Sequence, residues 1–312
     1  MIKELVKKIK LAEKATSSLK KRLGNCDICP RDCKVNRLKN EAGYCGTDKN
    51  MVVYSAFAHQ GEEPGISGQK GSGTIFFSGC NLKCIYCQNY KFSHTIAGKK
   101  VSEIDLAKTM LNLQKEGVHN INLVTPTHFI PQILSTLTLA FKNGLNIPIV
   151  YNTSGYEKEE IVKHLEGIVD IYLTDLKYIE TSLAKQYSNA PEYPRFATRS
   201  LLEMNRQVEP LTSNSLLKKG VIIRHLVLPN HINESKELLS WIKKNTPGAL
   251  VSVMFQYQPY FRAYLHPQIN RPIDYQEYLE IKNFVEKLGL GGWVQNHNPK
   301  EDMAGPYFEP NI

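Results

Sequence analysis

From residue 74 onward the chain repeats one pattern, a short apolar run followed by a stretch with helical spacing. The apolar runs fall at 74–79, 121–125, 148–153, 169–175, 221–228 and 250–256. Helical stretches follow over 102–117, 130–144, 157–167, 234–244 and 275–288, and an irregular, partly helical stretch reaches residue 217. Ser102 with Asp105 reads as a capping box that opens the first helix, and Gly117 closes it. Strands apolar throughout and separated by helices build a parallel sheet covered on both faces. Six such units predict an α/β fold, an incomplete (β/α)6 barrel, with a doubly wound sheet as the second choice.

In such barrels the chemistry sits where strands end and loops begin. The polar residues of this chain gather there. The first run opens into the loop 80–87, and the second ends in Thr125, Thr127 and His128. The third ends in Asn152, Thr153 and Ser154, the fourth in Asp175 and Lys177. The fifth bears Arg224 and His225, and the sixth ends in Gln256 and Tyr257. Any one of these passes as a structural cap or a solvated loop end. Their concentration on one rim points to a site.

No apolar run approaches the roughly 20 residues that span a bilayer, and no apolar signal core opens the chain. The expected compartment is therefore the cytoplasm, where thiols stay reduced. Seven cysteines then read as metal ligands, an odd total that argues further against disulfides. Cys80, Cys84 and Cys87 supply three thiolates from one short loop. On a 4Fe–4S cluster, three thiolates leave one iron open to a small molecule. The competing reading is a zinc site completed by a residue such as His94. Zinc accounts for neither the barrel pattern nor the rim. Cys26, Cys29, Cys33 and Cys45, with Pro30, Gly43 and Gly46 for tight turns, form a four-thiolate set that closes its site. That suits structure or electron transfer, and the spacing does not separate zinc from a second iron–sulfur cluster.

The first loop reads C-N-L-K-C-I-Y-C-Q-N, with Tyr86 before its third cysteine. A C-x3-C-x-aromatic-C motif after a first barrel strand resembles the signature of the radical S-adenosylmethionine (SAM) superfamily. Gln88 and Asn89 after the motif resemble its pyruvate formate-lyase activating-enzyme branch, over residues 22–297. The resemblance implies that SAM chelates the open iron through its amino and carboxylate groups. One electron from the cluster then cleaves SAM to methionine and a 5′-deoxyadenosyl radical, which abstracts a substrate hydrogen. It implies an external one-electron donor of flavodoxin or ferredoxin type. Asp175-Leu-Lys177 resembles a D-x-K motif near the SAM and substrate site, and Arg224 a fifth-strand arginine that approaches SAM. Asp175, Lys177 and Arg224 are thus the expected catalytic residues. Tyr86, Thr125, Thr127, Asn152, Ser154, Asp175 and Arg224 are the expected cofactor contacts. The second-strand G-G-E usual in the family is absent, and Thr125–His128 stands in its place. A subgroup shares that P-T-H, the four-cysteine motif and Glu62-Glu63-Pro64-Gly65.

The formal charge of +9 invites a nucleic-acid reading, but residues 1–22 carry eight Lys or Arg against Glu4 and Glu13, which leaves only +3 elsewhere. Ile2, Leu5, Val6, Ile9 and Ala12 at helical spacing make this arm a surface helix with a solvated lysine face, preferred over an RNA- or membrane-touching arm. The glycine-rich 68–73 precedes a strand, so it reads as a turn and not as a phosphate loop. The expected division is an N-terminal helix and Cys-rich metal-binding segment, 1–73, and a barrel, 74–312. The function first expected is a radical SAM oxidoreductase that activates a glycyl-radical partner protein. Modification of a small molecule, peptide or RNA is second. An iron–sulfur or zinc electron-transfer or scaffold protein without SAM chemistry is the alternative from another class.

Overall fold

A computed structural model of the chain describes residues 2–298; the end of the expected barrel unit, 299–312, lies outside the described residues. The elements in order are α1 (Ile2–Lys20), β1 (Met51–His59), α2 (Pro64–Ser67), β2 (Ser72–Phe77), α3 (Tyr90–Ser93), β3 (Lys99–Val101) and α4 (Glu103–Glu116). There follow β4 (Ile121–Val124), α5 (Ile130–Lys142), β5 (Ile149–Thr153), α6 (Glu159–Val162), β6 (Ile171–Asp175), α7 (Thr181–Ser188) and α8 (Tyr193–Gln207). The last are β7 (Leu211–Ser213), β8 (Leu216–Leu226), α9 (Ile232–Asn245), β9 (Leu250–Met254), α10 (Tyr275–Leu288) and β10 (Gly292–Val294).

The sheet runs β10–β9–β8–β6–β5–β4–β2–β1–β3, with β7 paired to β8. All pairings from β2 to β10 along this path are parallel. The six predicted runs are β2, β4, β5, β6, β8 and β9, laid down in chain order without reversal. A doubly wound sheet would reverse direction at a switch point; this one does not. The fold is a partial (β/α)6 barrel. The structure adds β1, antiparallel to β2, and β3, antiparallel to β1.

Local chemistry explains where the elements differ from expectation. Ser102 caps α4 by accepting from the Asp105 backbone N–H, but its hydroxyl also donates to the Asp105 carboxylate (2.6 Å). The helix expected over 157–167 shrinks to α6 and a single 3-10 turn, because Glu157 is buried and bonded inward rather than facing solvent on a helix. The irregular stretch resolves into α7 and α8, with a proline in the first turn of α8. α1 lies along α5 and buries Ala12, Ala15 and Leu19. Its polar face is tied down by Lys8–Asp170, Lys20–Glu103 and Glu13–Lys142 ion pairs. Among the described residues, no helix is long and apolar enough to cross a membrane.

Inside the barrel, Ile66, Val150, Ile171, Leu173, Leu217 and Ile222 form an apolar floor. The short helix α2 plugs it. Gly65 of that plug lies under the indole of Trp293, where a Cβ would come within 2.8 Å of the ring, so no larger residue fits. The plug carries Glu62 and Glu63 into the barrel beneath the rim.

Candidate active site

The loop after β2 brings Cys80, Cys84 and Cys87 together, each sulfur facing its own donor. The Leu82 backbone N–H points at Cys80 Sγ (3.3 Å), the Ser188 hydroxyl donates to Cys84 Sγ (3.1 Å), and the Ser93 hydroxyl lies 3.2 Å from Cys87 Sγ. Burial, with repulsion from Cys84, pushes Cys87 up to about 12, and burial likewise raises Cys80. Ser188 receives a bond from Tyr178 (2.9 Å), and Tyr178 contacts Tyr86 (2.7 Å). Since Ser188 donates to sulfur, the protons of this chain all point toward Cys84. The Tyr86 side chain is therefore part of a buried aromatic wall with Tyr187 and Tyr257. His94 donates from Nε2 to the Cys84 carbonyl (2.9 Å), an anchor for the loop backbone.

The strand register assembles the rim. Asp175 of β6 and Arg224 of β8 are direct partners in the parallel ladder, so their side chains rise on the same inner face. Arg224 Nε donates to Asp175 (2.8 Å) and its Nη2 to Asn152 Oδ1 (2.6 Å); Lys177 Nζ donates to Asp175 (2.6 Å). Burial alone would raise the Asp175 carboxyl, but Arg224 and Lys177 outweigh it and hold it below the usual range. The Ser154 hydroxyl is buried without a partner. Asn152, Asp175, Lys177 and Arg224 thus form one network, and Ser154 stands open beside it in sequence.

The second-strand residues behave differently. Thr125 sits at φ +58° and its N–H donates to the Asn152 carbonyl. Thr127 is buried and donates its hydroxyl to Glu157 (2.6 Å), as do Thr153 and Tyr151 (3.1 Å). Only Thr127's remaining acceptor capacity is open to a ligand. Burial pushes Glu157 up to about 7 despite those donors. His128 is buried, bonded from Nε2 to the Ser78 carbonyl, and pushed down to about 3, so it is neutral. His225 bridges the Leu176 carbonyl and Ser235, and burial lowers it to about 4. Both histidines are framework.

Cys26, Cys29, Cys33 and Cys45 are neighbours too, with Cys33 and Cys45 packed against Gly43 and bordered by the Tyr44 N–H (3.3 Å from Cys33 Sγ) and Thr47 (3.1 Å from Cys45 Sγ). Burial raises Cys29 and Cys33, and the neighbouring thiols add to it. All seven cysteines are free. Among the described residues, no three His, Cys, Asp or Glu converge closely enough to grip a single metal ion. Arg31, between Cys29 and Cys33, stacks over Tyr44 (3.9 Å) and donates to the carbonyls of Asn81, Leu82, Ser188 and Asn189. Sequence reading passed over Arg31, Glu157 and Ser188. Nothing in their spacing marks them: Arg31 and Ser188 reach across more than 50 residues to the Cys80 loop, and Glu157 meets Thr153 and Tyr151, four and six residues away, only because the turn after β5 folds back.

A partial (β/α) barrel with a three-thiol loop after its first parallel strand defines the catalytic domain of an enzyme. Residues 74–195 match the family model of the radical SAM superfamily. An uncharacterized protein of Methanocaldococcus jannaschii is 35% identical over 278 residues, 85% of this chain and 75% of that one. The pyruvate formate-lyase-activating enzyme of Clostridium pasteurianum is 27% identical over 188 residues, 57% of this chain and 71% of that one. Among solved structures, Streptococcus suis SuiB bound to S-adenosylmethionine aligns at TM-score 0.49 and 13% identity, covering 70% of this chain and 48% of SuiB, about half its length. Methylornithine synthase aligns at TM-score 0.49 and 14% identity over 75% of this chain and 74% of that one. The chain belongs to the radical SAM superfamily.

Proposed function

We propose that Cys80, Cys84 and Cys87 hold a 4Fe–4S cluster and that the enzyme cleaves SAM reductively to begin radical chemistry on a substrate. The observation that carries this is that each of the three sulfurs has its own hydrogen-bonding neighbour able to donate to it, the Leu82 N–H, the Ser188 hydroxyl and the Ser93 hydroxyl. Such donors stabilise thiolates, and each thiolate of a cubane cluster binds a different iron. When bound, the cluster supplies the electron that splits SAM into methionine and a 5′-deoxyadenosyl radical, which takes a hydrogen from the substrate. The chain's own residues do the positioning. Lys177 lies between Asp175 and the cysteine loop, where its charge favours the Cys80 thiolate. Arg224 and Asn152 present a fixed polar wall, and Ser154 offers an unengaged hydroxyl. Thr125 and Thr127 replace the missing G-G-E with backbone carbonyls and hydroxyl acceptors, and Tyr86 walls the pocket.

The similarity to a pyruvate formate-lyase-activating enzyme supports a glycyl radical on a partner protein as the product, with a flavodoxin- or ferredoxin-type donor. Cys26, Cys29, Cys33 and Cys45 are read as a second metal centre, zinc or iron–sulfur, within an N-terminal segment of residues 1–73. The test is anaerobic reconstitution, dithionite reduction and chromatography for 5′-deoxyadenosine. Wild type should form it, and replacing Cys80, Cys84 and Cys87 with Ala should abolish it. Cleavage by the triple variant at the wild-type rate refutes the assignment. The same variant should retain roughly four irons or one zinc at the first cysteine set.

A further inference from the structure

We propose that Glu62 and Glu63 form the recognition site for an alkylammonium group carried by the substrate. The proposal rests on the SAM-cleaving reading and extends it to the class of molecule acted on.

The pair enters the barrel from below, on the turn into α2, and its side chains are at most 8% exposed. A buried carboxylate is costly unless donors or a countercharge satisfy it. Here they are only half satisfied. Arg224 gives its hydrogen bonds to Asp175 and Asn152 and approaches Glu62 and Glu63 no closer than 3.9 and 4.0 Å. Glu63 Oε2 receives no hydrogen bond from a donor group, and the two glutamate side chains lie against each other. Asn122 is fully buried on β4; its amide nitrogen faces Glu62, and its amide oxygen has no hydrogen-bond partner. That side chain is the second sign of a ligand. Nothing in the apolar floor below calls for a polar group in the middle of a strand.

Charge decides what the ligand is. Around this spot three carboxylates, Glu62, Glu63 and Asp175, face two cations, Arg224 and Lys177. With all three carboxylates ionised one negative charge is left over; a proton on Glu63, raised to about 7 beside Glu62, balances it in the empty site, and a monocation would take that proton's place. An anion adds to the excess, and a bare divalent ion meets the Arg224 guanidinium within about one ion-pair distance of both ligands. An alkylammonium brings one charge and three N–H donors. It satisfies Glu63 Oε2 and the Asn122 oxygen together and presents an alkyl chain toward the rim. Burial raises both glutamates, Glu63 to about 7, and outweighs the opposing pull of Arg224. Along the network the order is the cysteine loop, Lys177, Asp175, Arg224 and then the glutamates. The pair is thus at the end away from the iron-binding thiols, where the substrate and not the iron-bound end of SAM belongs.

The experiment uses the reconstituted holoenzyme and n-pentylammonium, with 1-pentanol as its uncharged counterpart, in calorimetric titrations. We expect saturable binding of pentylammonium by wild type, at least tenfold weaker binding by Glu62→Gln/Glu63→Gln, and none of 1-pentanol by either. SAM affinity of the variant should stay within threefold of wild type. Equal binding of amine and alcohol by wild type overturns the proposal and needs no variant, so a misfolded mutant cannot shelter it. A tenfold loss of SAM affinity in the variant also overturns it, by giving the pair to SAM. If wild type neither binds nor cleaves SAM, the underlying reading fails separately, because the pentylammonium titration uses no SAM.

Discussion

Replacing Glu157 with Gln should flatten the pH dependence of folding stability. Glu157 is fully buried; its Oε1 accepts from Thr127, Thr153 and Tyr151, and its Oε2 has no partner. Burial outweighs those three donors and raises its pKa from 4.5 to about 7. A carboxyl with a raised folded-state pKa keeps its proton in the folded chain while the unfolded chain loses it. Between the two values the folded state binds more protons, so stability falls as pH rises and levels off above the folded value. At 1.36 kcal/mol per unit the loss amounts to about 3 kcal/mol in all, and roughly 2–3 kcal/mol of it falls between about pH 5 and pH 8. Glutamine keeps the Oε1 acceptor and cannot ionise. Urea unfolding of wild type and Glu157→Gln, followed by far-UV circular dichroism at both pH values, reads the difference in slope. Other titrating groups are common to both proteins and cancel. Parallel stability profiles would show that Glu157 ionises as readily inside the fold as outside, and the burial argument would fall.

Two further outcomes follow from the site. Arg31→Ala removes donors from four backbone carbonyls beside the Cys80 loop and should lower stability by roughly 2–3 kcal/mol while making the cluster lose iron faster on exposure to chelator, measured by absorbance decay. Unchanged iron release would confine Arg31 to surface packing. Asp175→Asn and Arg224→Ala should keep wild-type iron content but cut 5′-deoxyadenosine formation on the order of a hundredfold, since small misplacements at a reacting centre carry losses of that size. Normal rates in both would reduce the network to a strand cap.

Most of the barrel was legible because its strands are buried on both faces and read as continuous apolar runs with turns between them. β1 was not. Its M-V-V-Y-S-A-F-A-H run is as apolar as the others, but it sits among cysteines and turn residues and pairs antiparallel with β2, outside the strand–helix rhythm. The thiols were legible as two groups because their spacing confines each group to one short stretch of chain. The hydroxyls that serve them were not, because Ser93 and Ser188 meet the sulfurs only once the chain has folded, Ser188 from 104 residues away. Glu157 was read as the start of a helix; nothing local reveals that three hydroxyls from β5 and the neighbouring loops converge on it.

The two cysteine sets are best understood as parts of one structural unit. A loop that leaves β2 with three thiols and a positive-φ glycine has little to hold its shape, since its own hydrogen bonds are few. The N-terminal segment supplies the missing surface. Gly79 has φ +85°, and a Cβ there would come within 2.6 Å of the Cys45 carbonyl, so the first cysteine set touches the root of the second loop. Arg31 reaches from between Cys29 and Cys33 to the carbonyls of Asn81 and Leu82, which lie between Cys80 and Cys84. Arg37, fully buried, bonds the His128 carbonyl and so ties the same segment to the second-strand loop. A segment this short has too little apolar core to keep such contacts in place by itself. Metal at the first set would fix the turns that aim Arg31, and through Arg31 the backbone on which Cys80 and Cys84 are mounted.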